Sequence, residues 1–89
     1  MTAWNRGSVR SELIKVFQQH TQQGAEVKES SHLVADLGID SLGVMEVIAD
    51  LEDAFKITIP DEALREVDTI ADVAQAIETK LAGEGRLDG

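Results

Sequence analysis

Apolar residues recur at helical spacing in three segments, and this pattern restricts the fold more than any other feature. At about 100° per residue, each segment has one apolar face. The three stripes are Val9, Leu13, Val16 and Phe17; Val44, Val47, Ile48, Leu51, Ala54 and Phe55; and Ile70, Val73, Ala74, Ile77 and Leu81. Because each stripe must be buried against another element, the sequence predicts an all-α bundle.

Residues typical of helix starts precede the second and third stripes. Asp40 is a good N-cap for a helix that runs from Ser41 to about Phe55. Thr69 and Asp72 form a capping-box-like pair at the start of the last helix. Both helix starts are therefore predicted from residue type as well as from periodicity.

The other elements are less sharply defined. The first helical pattern begins at Val9 and ends near Gly24, and Pro60 precedes a short helical stretch at 61–66. We therefore predict a small four-helix bundle of three main helices and one short helix, with a long first loop. The predicted domain is residues 9–82, between an N-terminal tail at 1–8 and a C-terminal tail at 83–89.

The first loop, residues 24–40, has no helical period but is too apolar for a free linker. A long loop of this kind is expected to pack its own side chains on the core and to carry function. Its apolar residues are Val27, Leu33, Val34, Leu37 and Ile39.

Charge and composition exclude several classes of protein. The chain has 89 residues and no cysteine, so disulfides and thiolate metal sites are impossible. It lacks an apolar stretch long enough to cross a bilayer and an N-terminal signal pattern, so we expect a cytoplasmic location. The net charge is −9, and residues 36–68 alone hold ten acids and two bases. This balance disfavours nucleic acid and points to basic protein partners, although acids also serve simply to keep a protein in solution.

The helix from Ser41 has a second, smaller apolar patch besides its core face. The patch consists of Leu42, Met45 and Ala49. Acids surround it: Glu46, Asp50, Glu52 and Asp53. A helix needs only one apolar stripe to join a bundle, so this arrangement predicts a docking surface for a basic partner. In the alternative, Leu42 and Met45 pack under the long loop and the acids are only solvated.

Ser41 stands at the start of this same helix. A phosphate ester there would be stabilised by the free amides and the positive end of the helix dipole, by about 0.3–1 kcal/mol. Taken alone, however, Ser41 is better explained as an ordinary helix-start serine that shares the capping role with Asp40.

A longer motif around Ser41 resembles the acyl carrier protein family. It comprises Leu33-Val-Ala-Asp-Leu-Gly-Ile-Asp-Ser-Leu42, then Glu46, Leu51-Glu-Asp-Ala-Phe55 and Ile57-Thr-Ile-Pro-Asp61. The resemblance extends over roughly residues 9–82. It implies that Ser41 carries 4′-phosphopantetheine, transferred from coenzyme A by a separate phosphopantetheinyl transferase. The terminal thiol of the arm would then hold acyl groups as thioesters, and the chain itself would not be a catalyst.

The resemblance also implies roles for neighbouring residues. Asp40 would help the transferase to recognise the turn, and Leu42, Met45 and Glu46 match docking positions of the family. The implied partners are acyl-transfer enzymes, ketosynthases and other biosynthetic enzymes with basic docking patches, and we expect the carrier to be a monomer. The positions that match core or acyl-lining residues are Val47, Leu51, Phe55, Ile57 and Ile59.

Some residues depart from common patterns of the family. Gly43 replaces an acidic or larger residue, which suggests close approach by a partner or by the arm, and Lys56 replaces an acid. The segment Gly38-Ile-Asp-Ser41 differs from the Gly-Gly-His/Asp-Ser pattern of peptidyl carriers, which favours an acyl cargo. With Met1 and the acidic second helix, we expect a free-standing carrier in fatty-acid synthesis or in polyketide or other secondary metabolism.

Other functions fit the residues less well. Gly38-Ile-Asp-Ser-Leu-Gly43 resembles a nucleophile elbow, but its first glycine is misplaced, no strand precedes it, and His20 and His32 are the only candidate bases. A calcium loop at 36–47 is interrupted by apolar residues. The remaining alternative is an unmodified acidic helical protein-interaction module.

Overall fold

The computed structural model describes residues 4–21 and 26–88. Its helices are α1 (Arg6–Gln19), α2 (Ser41–Phe55), α3 (Asp61–Leu64) and α4 (Ile70–Gly83). The predicted all-α bundle of three main helices and one short helix is therefore confirmed. The described chain also contains one short parallel pair of two-residue strands, β1 (Trp4–Asn5) and β2 (Leu87–Asp88), which the sequence did not predict.

The bounds of α1 and α3 differ from those predicted. The start predicted at Val9 is wrong, because Asn5 and Ser8 form a reciprocal capping box that begins α1 at Arg6. The amide of Ser8 donates to Oδ1 of Asn5 at 2.8 Å, and the amide of Asn5 donates to Oγ of Ser8 at 3.0 Å. At its other end α1 stops at Gln19, whereas the predicted end at Gly24 lies outside the described residues. Helix α3 is also shorter than the stretch 61–66.

Helices α1, α2 and α4 bury their predicted apolar stripes in one core. Helix α2 begins after the predicted N-cap Asp40, and α4 begins after Thr69 with the predicted capping box to Asp72. In the α2 stripe, Val44 and Ala54 are half-buried at the edge of the core. The fully or nearly fully buried residues of the three helices include Leu13, Phe17, Val47, Leu51, Phe55, Ile70, Ile77 and Leu81.

The long loop packs on the core and is anchored at the start of α4. Val27, Leu33 and Ile39 are buried, whereas Val34 is an exception and is exposed. The amide of Leu33 donates to the carbonyl of Asp68 at 2.9 Å. The amide of Ile70 donates to the carbonyl of Ser31 at 3.1 Å. These bonds hold the loop against the bundle on the way to Ser41.

A partly buried ion pair joins α1 to α4. Glu78 is a buried acid, and its Oε2 accepts a hydrogen bond from Nε of Arg10 at 3.1 Å. Arg10 also donates to the carboxylate of Glu29 in the loop. Hydrogen bonds to Glu29 and then to Glu78 raise the pKa of Arg10 above its ordinary value. One guanidinium thus connects two helices and the loop.

Residues near the two ends of the described chain meet at the C-terminal end of α2, in a group of contacts that we call the terminal clasp (Trp4, Phe55, Lys56, Arg86 and Leu87). The amide of Trp4 donates to the carbonyl of Arg86 at 3.0 Å, and the ring centroids of Trp4 and Phe55 are 4.4 Å apart. The Arg86 guanidinium donates to the carbonyl of Lys56 at 2.8 Å and also to that of Phe55. Residues outside the predicted limits of 9–82 therefore contact the core.

Candidate functional site

Ser41 is the first residue of α2, and its side chain is exposed. Asp40 caps the helix by accepting a hydrogen bond at Oδ1 from the amide of Gly43 at 2.8 Å. The amides of Ser41 and Leu42 are among those that a helix start leaves without an intrahelical partner. Within the described ranges, the hydroxyl of Ser41 forms no side-chain hydrogen bond. It is accessible and is not held by a base.

Gly43 allows the loop to approach the first turn of α2 closely. A Cβ at this position would lie 2.8 Å from Cγ2 of Ile39 and 3.2 Å from Oδ1 of Asp40. The first distance is shorter than carbon atoms tolerate, so a larger residue requires Ile39 to shift. The chain's own loop therefore approaches Gly43 closely, and an approach by a partner or by the arm stays a prediction.

The loop segment before Ser41 is folded by its own hydrogen bonds. Oδ2 of Asp36 accepts the amide of His32 at 2.7 Å and lies 3.2 Å from Nδ1 of the same residue. Gly38 has a φ of 67°, which L side chains rarely adopt, and Ile39 then enters the core. This sequence of turns places Asp40 at the helix start.

Two carboxylates that accept hydrogen bonds from backbone amides make folding stability change with pH in the acidic range. The amide of His32 lowers the pKa of Asp36 from its ordinary value of 3.8, and the amides of Asp68 and Thr69 do the same for Asp72. Both pKa values are lower in the folded state than in the unfolded state. The stability that these two carboxylates contribute is therefore fully present above the unfolded-state pKa, and it is lost as the pH falls through the folded-state pKa.

We therefore expect the urea midpoint of unfolding to fall between about pH 5 and pH 3. The double variant Asp36→Asn/Asp72→Asn should lose less stability over this interval, because neither amide side chain titrates. Chemical denaturation followed by far-ultraviolet circular dichroism measures both proteins. Equal losses in wild type and variant would show that other acids account for the pH dependence.

An apolar cavity of about 210 Å³ opens between the loop, α2, the end of α3 and the segment that follows it. Val44, in the first turn of α2 after Ser41, contributes to its wall. His32 and Asp68 lie at the same cavity. Sequence reasoning did not identify this space, because its walls come from separate parts of the chain. The apolar lining is Leu33, Val34, Ala35, Val44, Leu64 and Val67.

The second apolar patch of α2 is on the surface. Leu42 is 66% exposed and Met45 is 65% exposed, so the alternative that they pack under the loop is wrong. Ala49 is also exposed. Val34 of the loop is 66% exposed as well, and it was missed because it was grouped with the buried apolar residues of the loop. We call Leu42, Met45 and Ala49 the α2 patch.

The four acids around the α2 patch are in different environments. Glu46 is exposed and forms no salt bridge within 4–21 and 26–88. Asp53 is exposed, with Nζ of Lys56 at 3.8 Å. Oδ2 of Asp50 is 2.6 Å from Nε2 of His20, whereas Oε2 of half-buried Glu52 accepts the amide of Ile59 at 2.7 Å.

Within the part of the chain that the structure describes, the features needed for catalysis are not assembled around Ser41. His20 and His32 each contact a carboxylate, Asp50 and Asp36 respectively. Residues 38–40, which precede Ser41, do not form the strand that a nucleophile elbow requires. Across the described residues, His, Asp and Glu side chains do not gather in threes that would hold a metal ion. None of the helices described is long and apolar enough to span a bilayer.

Comparison with known proteins identifies one family. Residues 11–77 match the family described as the phosphopantetheine attachment site. The chain is 47% identical over 64 residues to an acyl carrier protein of Wolinella succinogenes, covering 72% of this chain and 84% of that protein. An acyl carrier protein of Prochlorococcus marinus is 43% identical over 65 residues, covering 73% and 81%.

A solved structure has the same fold. The Toxoplasma-specific mitochondrial acyl carrier protein aligns with a TM-score of 0.77 at 27% identity, covering 86% of this chain and 91% of that one.

Proposed function

This chain belongs to the acyl carrier protein family, and on that premise we propose that Ser41 is the residue that carries its 4′-phosphopantetheine. The observation that supports this residue most is its position: an exposed serine at the first position of α2, with Asp40 as the cap. Because Asp40 satisfies the amide of Gly43, the Ser41 side chain is not needed for capping. The hydroxyl of Ser41 is therefore available for covalent modification.

The residues around Ser41 suit a phosphodiester and an extended arm. The amides of Ser41 and Leu42 provide donors at the positive end of the α2 dipole. The attached group supplies a thiol on which acyl intermediates are held as thioesters. Val44, in the first turn of α2 after Ser41, lines the apolar cavity, and this cavity would shield apolar cargo from water. The five residues first matched to core or acyl-lining positions, Val47, Leu51, Phe55, Ile57 and Ile59, are buried.

Ser41 acts in this proposal as a substrate for another enzyme. Neither histidine contacts its hydroxyl, so the base that removes the hydroxyl proton must come from the phosphopantetheinyl transferase. Asp40 is held by the amide of Gly43 and presents the turn for recognition. The chain thus carries acyl groups between other enzymes and catalyses no step itself.

The α2 patch and its acids form the proposed docking surface. Leu42, Met45 and Ala49 supply apolar area, and exposed Glu46 and Asp53 supply negative charge. This chemistry fits a partner with a shallow apolar groove bordered by Lys or Arg. The proposed partners are the phosphopantetheinyl transferase, acyl-transfer enzymes and ketosynthases of fatty-acid, polyketide or other secondary-metabolite synthesis. We further propose a cytoplasmic monomer whose carrier domain comprises residues 9–82 together with the start of α1 and the terminal clasp, which contact the same core.

Intact mass spectrometry tests the central proposal. The purified chain is incubated with coenzyme A and a phosphopantetheinyl transferase of broad specificity, and a gain of one phosphopantetheinyl group is expected. Peptide mapping should place that group on Ser41. Failure of the wild-type chain to gain mass would favour the alternative, an unmodified acidic helical protein-interaction module.

Reversal of charge at Glu46 tests the docking surface. Glu46→Lys should raise the KM of the transferase for the protein about tenfold at low salt, because it replaces an attraction by a repulsion. The difference should shrink as salt screens the charges. Glu62→Lys is the matched control: Glu62 is exposed on α3, and the change in net charge is the same. Equal effects of the two variants would contradict a local role for Glu46.

A further inference from the structure

His20, which ends α1, contacts the helix that carries Ser41. Its Nε2 lies 2.6 Å from Oδ2 of Asp50 on α2. Since a carboxylate only accepts, the imidazole N–H is the donor. The side chain of His20 is 22% exposed and that of Asp50 is 55% exposed, so the contact lies at the edge of the protein surface.

Asp50 borders the α2 patch on one side. At about 100° per residue, Glu46 and Asp53 lie close to the direction of Leu42, whereas Asp50 is rotated away from it. The bond to His20 shows that Asp50 lies on the side of α2 nearest the end of α1. Glu46 and Asp53 would therefore contact a partner on the α2 patch directly, whereas Asp50 lies at the edge of the contact area.

The contact with His20 reduces what Asp50 offers to a partner. One carboxylate oxygen already accepts a hydrogen bond from His20, so a bidentate contact by a partner's Arg must share that oxygen or displace the imidazole. Glu46 and Asp50 are also four residues apart on one helix, a spacing at which like charges repel each other. By holding Asp50 on the side of α2 nearest the end of α1, His20 leaves Glu46 as the more accessible of these two acids to a partner on the α2 patch.

We propose that His20 is a positioning residue that determines partner specificity, by holding Asp50 on the side of α2 nearest the end of α1 and making one of its carboxylate oxygens less available to a basic partner on the α2 patch. This inference rests on the proposed carrier function. It predicts that partners of this chain recognise Glu46 and Asp53 more strongly than Asp50, although the sequence groups these acids together.

Two substitutions of His20 test the proposal with the phosphopantetheinyl transferase as the probe. His20→Ala and His20→Leu both remove the donor, and the leucine keeps most of the bulk. Each should lower the KM for the protein about two- to fivefold at low salt, because Asp50 becomes available for a surface ion pair. The kcat should stay unchanged, and His20→Gln, which retains a side-chain N–H, should behave more like wild type.

A double-mutant cycle separates this role from a merely structural one. Asp50→Asn should raise KM less than Glu46→Gln does in the wild-type background. Its effect should grow in the His20→Ala background and cancel the gain produced by His20→Ala. Circular dichroism at the assay temperature establishes that all variants are folded.

Two results would overturn the inference: a KM that does not fall in either His20→Ala or His20→Leu, or a fall of the same size in the presence of Asp50→Asn. Either result is compatible with loading of Ser41. Failure of the carrier proposal itself is instead recognised by the lack of a phosphopantetheinyl mass gain on the wild-type chain.

Discussion

Ser41→Ala is expected to abolish the phosphopantetheinyl mass gain while leaving the bundle folded. Loss of the hydroxyl removes the only proposed acceptor of the group. Helix α2 should keep its start, because Asp40 and not Ser41 accepts the hydrogen bond from Gly43. We therefore expect the free energy of unfolding to change by less than about 0.5 kcal/mol, as for surface substitutions away from special contacts.

Intact mass and thermal unfolding should be measured on the same preparations. Ser11→Ala is the matched control, since Ser11 is also an exposed serine on a helix but lies on α1. It should be loaded as completely as wild type. A mass gain that survives Ser41→Ala would show that the arm is attached elsewhere. Loss of both loading and folding would mean that Ser41 has a structural role that its exposure does not indicate.

Phe55→Ala is expected to have the largest effect on stability. Phe55 is completely buried at the end of α2, and its ring lies 4.4 Å from that of Trp4. Truncation of a buried phenylalanine destabilises proteins by about 3–5 kcal/mol. Because small domains are stable by only about 5–15 kcal/mol, this variant should be partly or wholly unfolded at moderate urea concentrations.

Urea denaturation followed by circular dichroism measures this loss, and fluorescence of Trp4, the single tryptophan, reports on the terminal clasp. Emission should shift to longer wavelength as the indole becomes wetter. Phe55→Leu is the matched control and should lose less, because it retains more of the buried volume. A Phe55→Ala protein as stable as wild type would show that the core closes around the missing ring.

The sequence predicts best the helices whose periodicity and caps agree. For α2 and α4, the apolar stripe and the N-caps Asp40 and Thr69 indicate the same start, and both starts are confirmed. The start of α1 was missed because the Asn5–Ser8 capping box lies before the apolar stripe. The two-residue strands at Trp4 and Leu87 were missed because a strand so short has no periodicity to detect.

The candidate site likewise has features that the sequence predicts and features that it does not. The positions of Ser41 and of the α2 patch follow from residue spacing along one helix, which a helical wheel displays directly. The contacts of the acids do not follow from local spacing. Asp50 contacts His20 at the end of another helix, and Glu52 accepts a hydrogen bond from the amide of Ile59, which lies beyond the end of α2. The cavity wall likewise combines residues from the loop, α2, the end of α3 and the segment after it. Such pairings depend on tertiary packing, which the spacing of residues along one helix does not contain.

The terminal clasp also determines where this molecule can be attached to something else. Trp4 and Leu87 are paired beside the C-terminal end of α2, whereas Ser41 lies at its opposite end. A helix of 15 residues is about 22 Å long. A tag, a surface linker or a fused domain attached before Trp4 or after Leu87 would therefore join the bundle about one helix length from Ser41, and the start of α2 would remain open to large enzymes.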